Sequence, residues 1–111
     1  AGWSLHDFDS PTPEWHLPSI VLAPGEKATI ARDALGFTNW RGFAPDADGL
    51  DLWLSNSDDL LELYDDQGRF VDFVAWETFS WPLKADSGKA LRRTTVGVDT
   101  DTPADWSTVT P

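Results

Sequence analysis

The sequence predicts an all-β, antiparallel sandwich, and three observations carry that expectation. Apolar and polar residues alternate over short runs, which is the two-residue period of a half-buried strand. Turn-forming clusters such as Pro24-Gly25 and Asp65-Asp66-Gln67-Gly68 interrupt those runs at short intervals. No segment shows a long helical period, and no repeat or low-complexity tract is present.

In chain order, Gly2 to Leu5 reads as a short strand with Trp3 and Leu5 on one face, and His6 to Pro13 as a Pro-broken loop. Trp15 to Leu22 is extended and interrupted by Pro18. Ala23-Pro24-Gly25-Glu26 has Pro second and Gly third, the preference of a type II turn. Lys27 to Ala31 alternates again, with Ala28 and Ile30 facing one way. Asp33 to Phe37 is suited to one helical turn capped by Asp33. Thr38 to Gly49 is irregular. Leu50 to Ala75 then reads as a three-strand meander: Leu50, Leu52 and Leu54 alternate with Asp51, Trp53 and Ser55, Leu61 and Leu63 flank Glu62, and Val71, Phe73 and Ala75 return. Trp76 to Gly88 is a long loop, Lys89 to Arg93 a strand, Val98 to Asp105 an Asp/Thr loop, and Trp106 to Val109 a closing strand.

At 111 residues the chain is long enough for one domain with one core, residues 1–111, and 7 Trp and 6 Phe supply its bulk. Without Cys, neither a disulfide frame nor a thiolate metal site is available. There is no apolar run of bilayer length and no signal-peptide pattern, so membrane insertion is not expected. The absence of Met at position 1 is expected for a processed chain or a portion of a longer one. The net charge of −11 opposes nucleic acid and anionic lipid, whose binding begins with phosphate neutralisation. Asp excess with few Lys is a composition like that of proteins from salt-loving organisms.

Six segments in order then form a larger pattern: Gly2-Trp3-Ser4-Leu5, Leu22-Ala23-Pro24-Gly25-Glu26 with a following strand and Ala31-Arg32-Asp33-Ala34, Leu54 to Asp59, Asp65 to Val74, Gly88 to Arg93, and Asp99 to Trp106. Together they resemble the lamin tail domain, in the branch found in secreted and surface proteins of bacteria and archaea. The resemblance spans nearly the whole chain and implies an immunoglobulin-like β-sandwich. In that family two further strands usually precede the segment matched by Gly2 to Leu5. Their lack would leave open sheet edges and an uncovered core face. The expectations are a fragment, a sandwich completed by another chain, or a minimal version covered by its own loops.

Candidate chemistry is sparse. Catalysis by His needs a neighbouring nucleophile or metal, and the His residues are His6, beside Asp7 and Asp9, and His16. No phosphate loop, nucleophile elbow or zinc-binding helix motif is present, so no catalytic residue and no cofactor are expected. Asp46, Asp48 and Asp51, and separately Asp99 and Asp101 with Asp105, offer hard oxygens in Gly- and Thr-containing loops, the ligand type Ca²⁺ takes; Asp is equally a turn residue. Lys84, Lys89, Arg92 and Arg93 place half of the basic residues within ten positions. They suit docking to an acidic neighbour, or local pairing, since Arg92 and Arg93 point to opposite faces of one strand. Trp3, Trp53, Trp76 and Trp106 fall in or near strands and suit packing. Trp15, Trp40 and Trp81 fall near Pro or Gly, where aromatics either cover a sandwich end or bind a sugar or protein.

The functional expectation is a non-catalytic structural or interaction module, extracellular or surface-exposed, acting through a protein partner or self-association. An accessory domain of a larger secreted hydrolase and a calcium-stabilised adhesion module are the alternatives.

Overall fold

The computed structural model describes residues 2–7, 14–52, 54–55, 57–86 and 88–111. It is β-rich, with two antiparallel sheets and one short α-helix. The first sheet has the order β2-β1-β3-β4, built from β1 (Ser4–Asp7), β2 (Glu14–His16), β3 (Asp59–Tyr64) and β4 (Phe70–Trp76). The second pairs β5 (Ala90–Arg93) with β6 (Trp106–Val109).

Register explains which side chains share a face. Leu5 stands opposite Trp15 and Leu63, and Leu61 opposite Val74, so these side chains share one face, together with Asp7 and Asp72. Ser4, His6, Glu62 and Tyr64 fall on the other. The hairpin β3–β4 turns at Asp65, whose N–H donates to the Arg69 carbonyl at 2.9 Å while its carboxylate accepts from Gln67 and Arg69 N–H. Gly68 completes the turn at φ 74°, a conformation that penalises a Cβ. The register shifts between Leu63 and Tyr64, a bulge that inserts one residue on β4.

The helix α1 (Ala34–Arg41) is longer than the single turn expected. Its start is the expected one: the Asp33 carboxylate accepts from Leu35 and Gly36 N–H, satisfying two otherwise orphaned donors. Its end is set by Gly42 at φ 81°, whose N–H donates to the Thr38 carbonyl.

Three expected elements differ. The strand predicted over 50–54 does not form: Leu50, Asp51, Leu52 and Leu54 are outside any ladder, and Trp53 lies outside the described residues. Both edges of β3 are already taken, by β1 and β4, so a preceding meander strand has nowhere to pair. Instead Gly49 and Leu50 N–H donate to the Arg32 and Ala31 carbonyls. The strand predicted over 27–31 reduces to an isolated parallel bridge, Ile30 with Ala47. Conversely, β1 runs through His6 and Asp7, which the sequence placed in a loop, while Trp15, at the start of the segment read as extended, sits in strand β2. The turn at 23–26 closes as expected, Glu26 N–H donating to the Ala23 carbonyl at 2.9 Å.

The core is thin. Among the described residues the buried hydrophobic ones are Ala31, Leu52 and Ala75, while Val21, Leu35, Trp40 and Phe79 are exposed. On the first sheet, Leu5, Trp15, Leu61, Leu63 and Val74 are half-buried.

Candidate interaction surface

The residues expected to dock a partner separate into two groups. The first gathers at the start of β5. A cleft of about 940 Å³ lies between the end of β4 (Trp76, Glu77), the segment holding Leu54 and Ser55, and β5 (Ala90, Leu91), with Lys84 and Lys89 on its wall. A second cleft of about 550 Å³ adjoins it, sharing Gly88, Lys89 and Ala90 and adding Trp40 and Arg41. Three of the expected interaction residues, Trp40, Lys84 and Lys89, therefore come together. Trp40 is 67% exposed, with the Arg41 guanidinium 5.1 Å from its ring centroid. Lys89 Nζ donates to Thr110 Oγ1 at 2.7 Å, and Lys84 lies 3.9 Å from Asp86. Arg41 was not among the residues expected in this group, because its approach depends on the length of α1.

The cleft wall carries a conformational outlier. Glu77 adopts φ 52°, a left-handed conformation that costs a non-glycine residue about 1 kcal/mol. Its N–H donates to the Leu83 carbonyl at 2.8 Å, and Thr78 N–H to the Trp81 carbonyl. These bonds hold the 77–83 loop against the sheet end. Trp76 Nε1 donates to the Ser55 carbonyl at 2.8 Å and ties the two walls below Leu54.

The second group is internal. Arg93 reaches from β5 to the first sheet, donating to Asp72 on β4 at 2.7 Å and to the Val98 carbonyl at 3.0 Å. Its guanidinium lies 4.7 Å from the Trp106 ring centroid, 3.7 Å from Asp99 and 4.0 Å from Asp105. Arg93 thus pairs locally, while Arg92 on the opposite face is exposed. Trp81 likewise packs edge-on against Phe73 at 5.1 Å rather than joining the clefts.

The acidic loops are knitted to their own backbone. Asp46 accepts from Thr29 N–H at 2.6 Å, and Asp99 from Asp101 N–H at 2.9 Å. Asp48, Asp51 and Asp101 are exposed. Among the described residues no three His, Asp or Glu side chains come together as metal ligands. Buried Asp105 is held below the ordinary carboxylate range chiefly by the Thr100 hydroxyl, then by Thr100 and Thr102 N–H and by Arg93, against the opposing cost of burial. Asp65 is lowered chiefly by Arg69 N–H, with the Arg69 side chain and Gln67 N–H adding to it.

These shifts make a prediction with a definite sign. Both carboxylates bind a proton more weakly folded than unfolded. Their stabilisation is present above the unfolded value of about 3.9 and is lost as pH falls through the lower folded values. Relief of the −11 repulsion acts the other way, so the measurement is a comparison. Thermal melts from pH 7 to pH 2 should show a shallower acid limb for Thr100→Val than for the parent chain. Superimposable limbs would contradict the role of Asp105.

His6 differs from expectation in its neighbours. Its Nε2 lies 2.9 Å from Ser4 Oγ, and its ring lies 4.4 Å from that of Tyr64. This is nucleophile–base distance, but Ser4 is buried, and the residues of neither cleft include it. The pair lies on the sheet face that also carries Phe73 and Ala75, where Tyr64 donates to Glu62. Tyr64 is raised above the ordinary phenol value, first by burial and then by Glu62. His16 pairs with Glu14 at 2.8 Å on the exposed edge strand, and Asp9 lies outside the described residues. Among the described residues no helix is long and apolar enough to cross a membrane. No family model matches the chain, and no curated protein or solved structure matches it.

Proposed function

We propose that this chain is a non-catalytic interaction module, an immunoglobulin-like sandwich resembling the lamin tail domain, that works at a cell or particle surface by associating through its open β-edges and exposed apolar faces. The observation that carries this reading is the imbalance between inside and outside. Among the described residues the buried hydrophobic ones are Ala31, Leu52 and Ala75, whereas Trp40, Leu35, Val21 and Phe79 stand in solvent. A monomer rarely leaves so much large apolar surface uncovered unless it is an association surface. Among the described residues no strand pairs the outer edges of β2, β4 or β5, and edges of this kind are what strand addition uses.

Electrostatics sets the condition. Copies carrying −11 each repel at low salt, and molar salt shortens the Debye length to about 3 Å. Light scattering coupled to size exclusion, at tens of micromolar protein, should therefore show a larger mean mass in molar sodium chloride than at low salt. A monomer at every salt concentration that also binds no added peptide would overturn the reading.

A further inference from the structure

The two adjoining clefts identify one part of this surface and the chemistry of its partner; the inference rests on the chain being an interaction module. We infer that the cleft beside β5 is a receptor for an extended acidic peptide, which pairs with the outer edge of β5 and lays alternate apolar and carboxylate side chains along the cleft.

Backbone geometry supplies the first argument. Thr94 N–H donates to the Asp105 carbonyl at 2.7 Å, in line with the β5–β6 register that pairs Arg93 with Trp106 and Arg92 with Ser107. Antiparallel ladders alternate between bonded and non-bonded pairs. Arg92 and Ala90 therefore exchange bonds with β6, and Leu91 turns its N–H and C=O the other way. Leu91 also lines the larger cleft. No described strand takes the outer edge of β5. An extended segment advances about 3.3 Å per residue, so a six-residue strand spans about 20 Å and covers all of β5.

The walls supply the second. Leu54, Trp76, Ala90 and Leu91 give apolar contact, and Trp40 continues it into the smaller cleft. Charge supplies the third. Three of the eight basic residues, Arg41, Lys84 and Lys89, line the clefts, against two of the nineteen acidic ones, Glu77 and Asp86. The larger cleft is balanced at two against two and Arg41 brings the pair of clefts to a net of +1, so on a chain of net −11 the negative field is locally relieved, which favours carboxylates there. The same charges disfavour a second copy seated edge to edge. A two-fold pairing of β5 centred on Leu91 would set Lys89 against Arg93 of the other copy, like charges directly opposite.

The test uses two capped hexapeptides, one alternating valine with aspartate and one alternating valine with lysine, titrated into the full chain by calorimetry and Trp fluorescence. The acidic peptide should bind at least about ten-fold more tightly than the basic one, with an affinity that falls as salt rises. The charge-reversed pair Lys84→Glu with Lys89→Glu should invert the preference. Leu91→Pro removes an N–H that β6 does not use, so it should abolish binding of the acidic peptide while leaving the melting temperature close to the parent's. If that variant fails to fold, the charge-reversed pair decides alone. Equal affinity for the two peptides, binding of neither, or undiminished binding by a folded Leu91→Pro chain would each overturn the inference. So would a dimer that the acidic peptide displaces, since the occupant would then be a second copy. Salt-induced association without peptide binding would sink this inference and leave the proposed function standing; loss of both would sink both.

Discussion

Leu52→Ala should lower the stability of the fold by about 3 kcal/mol, the usual cost of removing a fully buried leucine side chain together with the cavity left behind. Leu52 is 3% exposed and is the largest of the buried hydrophobic residues among those described, the others being Ala31 and Ala75. A chain with so little enclosed bulk has few neighbours able to collapse into the space, which keeps the cost from falling to the low end. Thermal melting should drop by roughly 10 °C or more for a domain of this length. The informative control is Leu54→Ala. The alternation of the sequence groups Leu54 with Leu52, but Leu54 is 40% exposed at the cleft rim, and its truncation should cost under about 1 kcal/mol. Equal losses for the two variants would contradict the burial described here. Leu54→Ala should act instead on binding at the cleft.

That contrast shows where the sequence was legible. Leu61 and Leu63 around Glu62, the turn at Asp65–Gly68 and the returning Phe73 and Ala75 specify a hairpin locally, and β3 and β4 form it. Asp33 as a helix cap and Trp106 at the start of the last strand are equally local, and both stand. Residues 50–54 carry the same alternation, yet a strand needs a free edge, and nothing in Leu50, Leu52 and Leu54 reveals that β1 takes the edge of β3 first. Alternation reports half-burial, which Leu52 honours, and not ladder partners. The interaction surface follows the same rule. Lys84 and Lys89 are close in sequence and meet in one cleft, whereas Trp40 and Arg41 arrive from a helix some fifty residues away. Of the Ca²⁺ candidates, Asp46 and Asp99 each use a carboxylate oxygen on a backbone N–H, a contact that residue spacing alone does not reveal.

Arg93→Ala should destabilise the fold by about 3 kcal/mol, and the reason is the number of groups that one guanidinium serves. Its side chain is 18% exposed, it bonds the Asp72 carboxylate at 2.7 Å and the Val98 carbonyl at 3.0 Å, and it lies over Trp106. A charge-assisted hydrogen bond contributes about 1.5–3 kcal/mol and a cation–π contact about 1. Asp72 is 39% exposed, so solvent screens that pair and the total stays below the sum. Truncation would also leave Asp72, Asp99 and buried Asp105 close together without their shared cation. Arg93→Lys supplies a point charge but no planar fork; it should keep the Asp72 pair, lose the Val98 bond and the stacking, and cost about half as much. Arg92→Ala, on the exposed face of the same strand, should change stability by no more than about 0.5 kcal/mol. Acid separates this account from a loss of packing alone. Arg93 helps to hold Asp105 below the ordinary carboxylate range, so the gap between the parent chain and Arg93→Ala should narrow as pH falls below about 4 and Asp105 protonates. A gap that stays constant from pH 7 to pH 3 would mean that Arg93 acts through its aliphatic stem, and the ion cluster joining the two sheets would then contribute nothing.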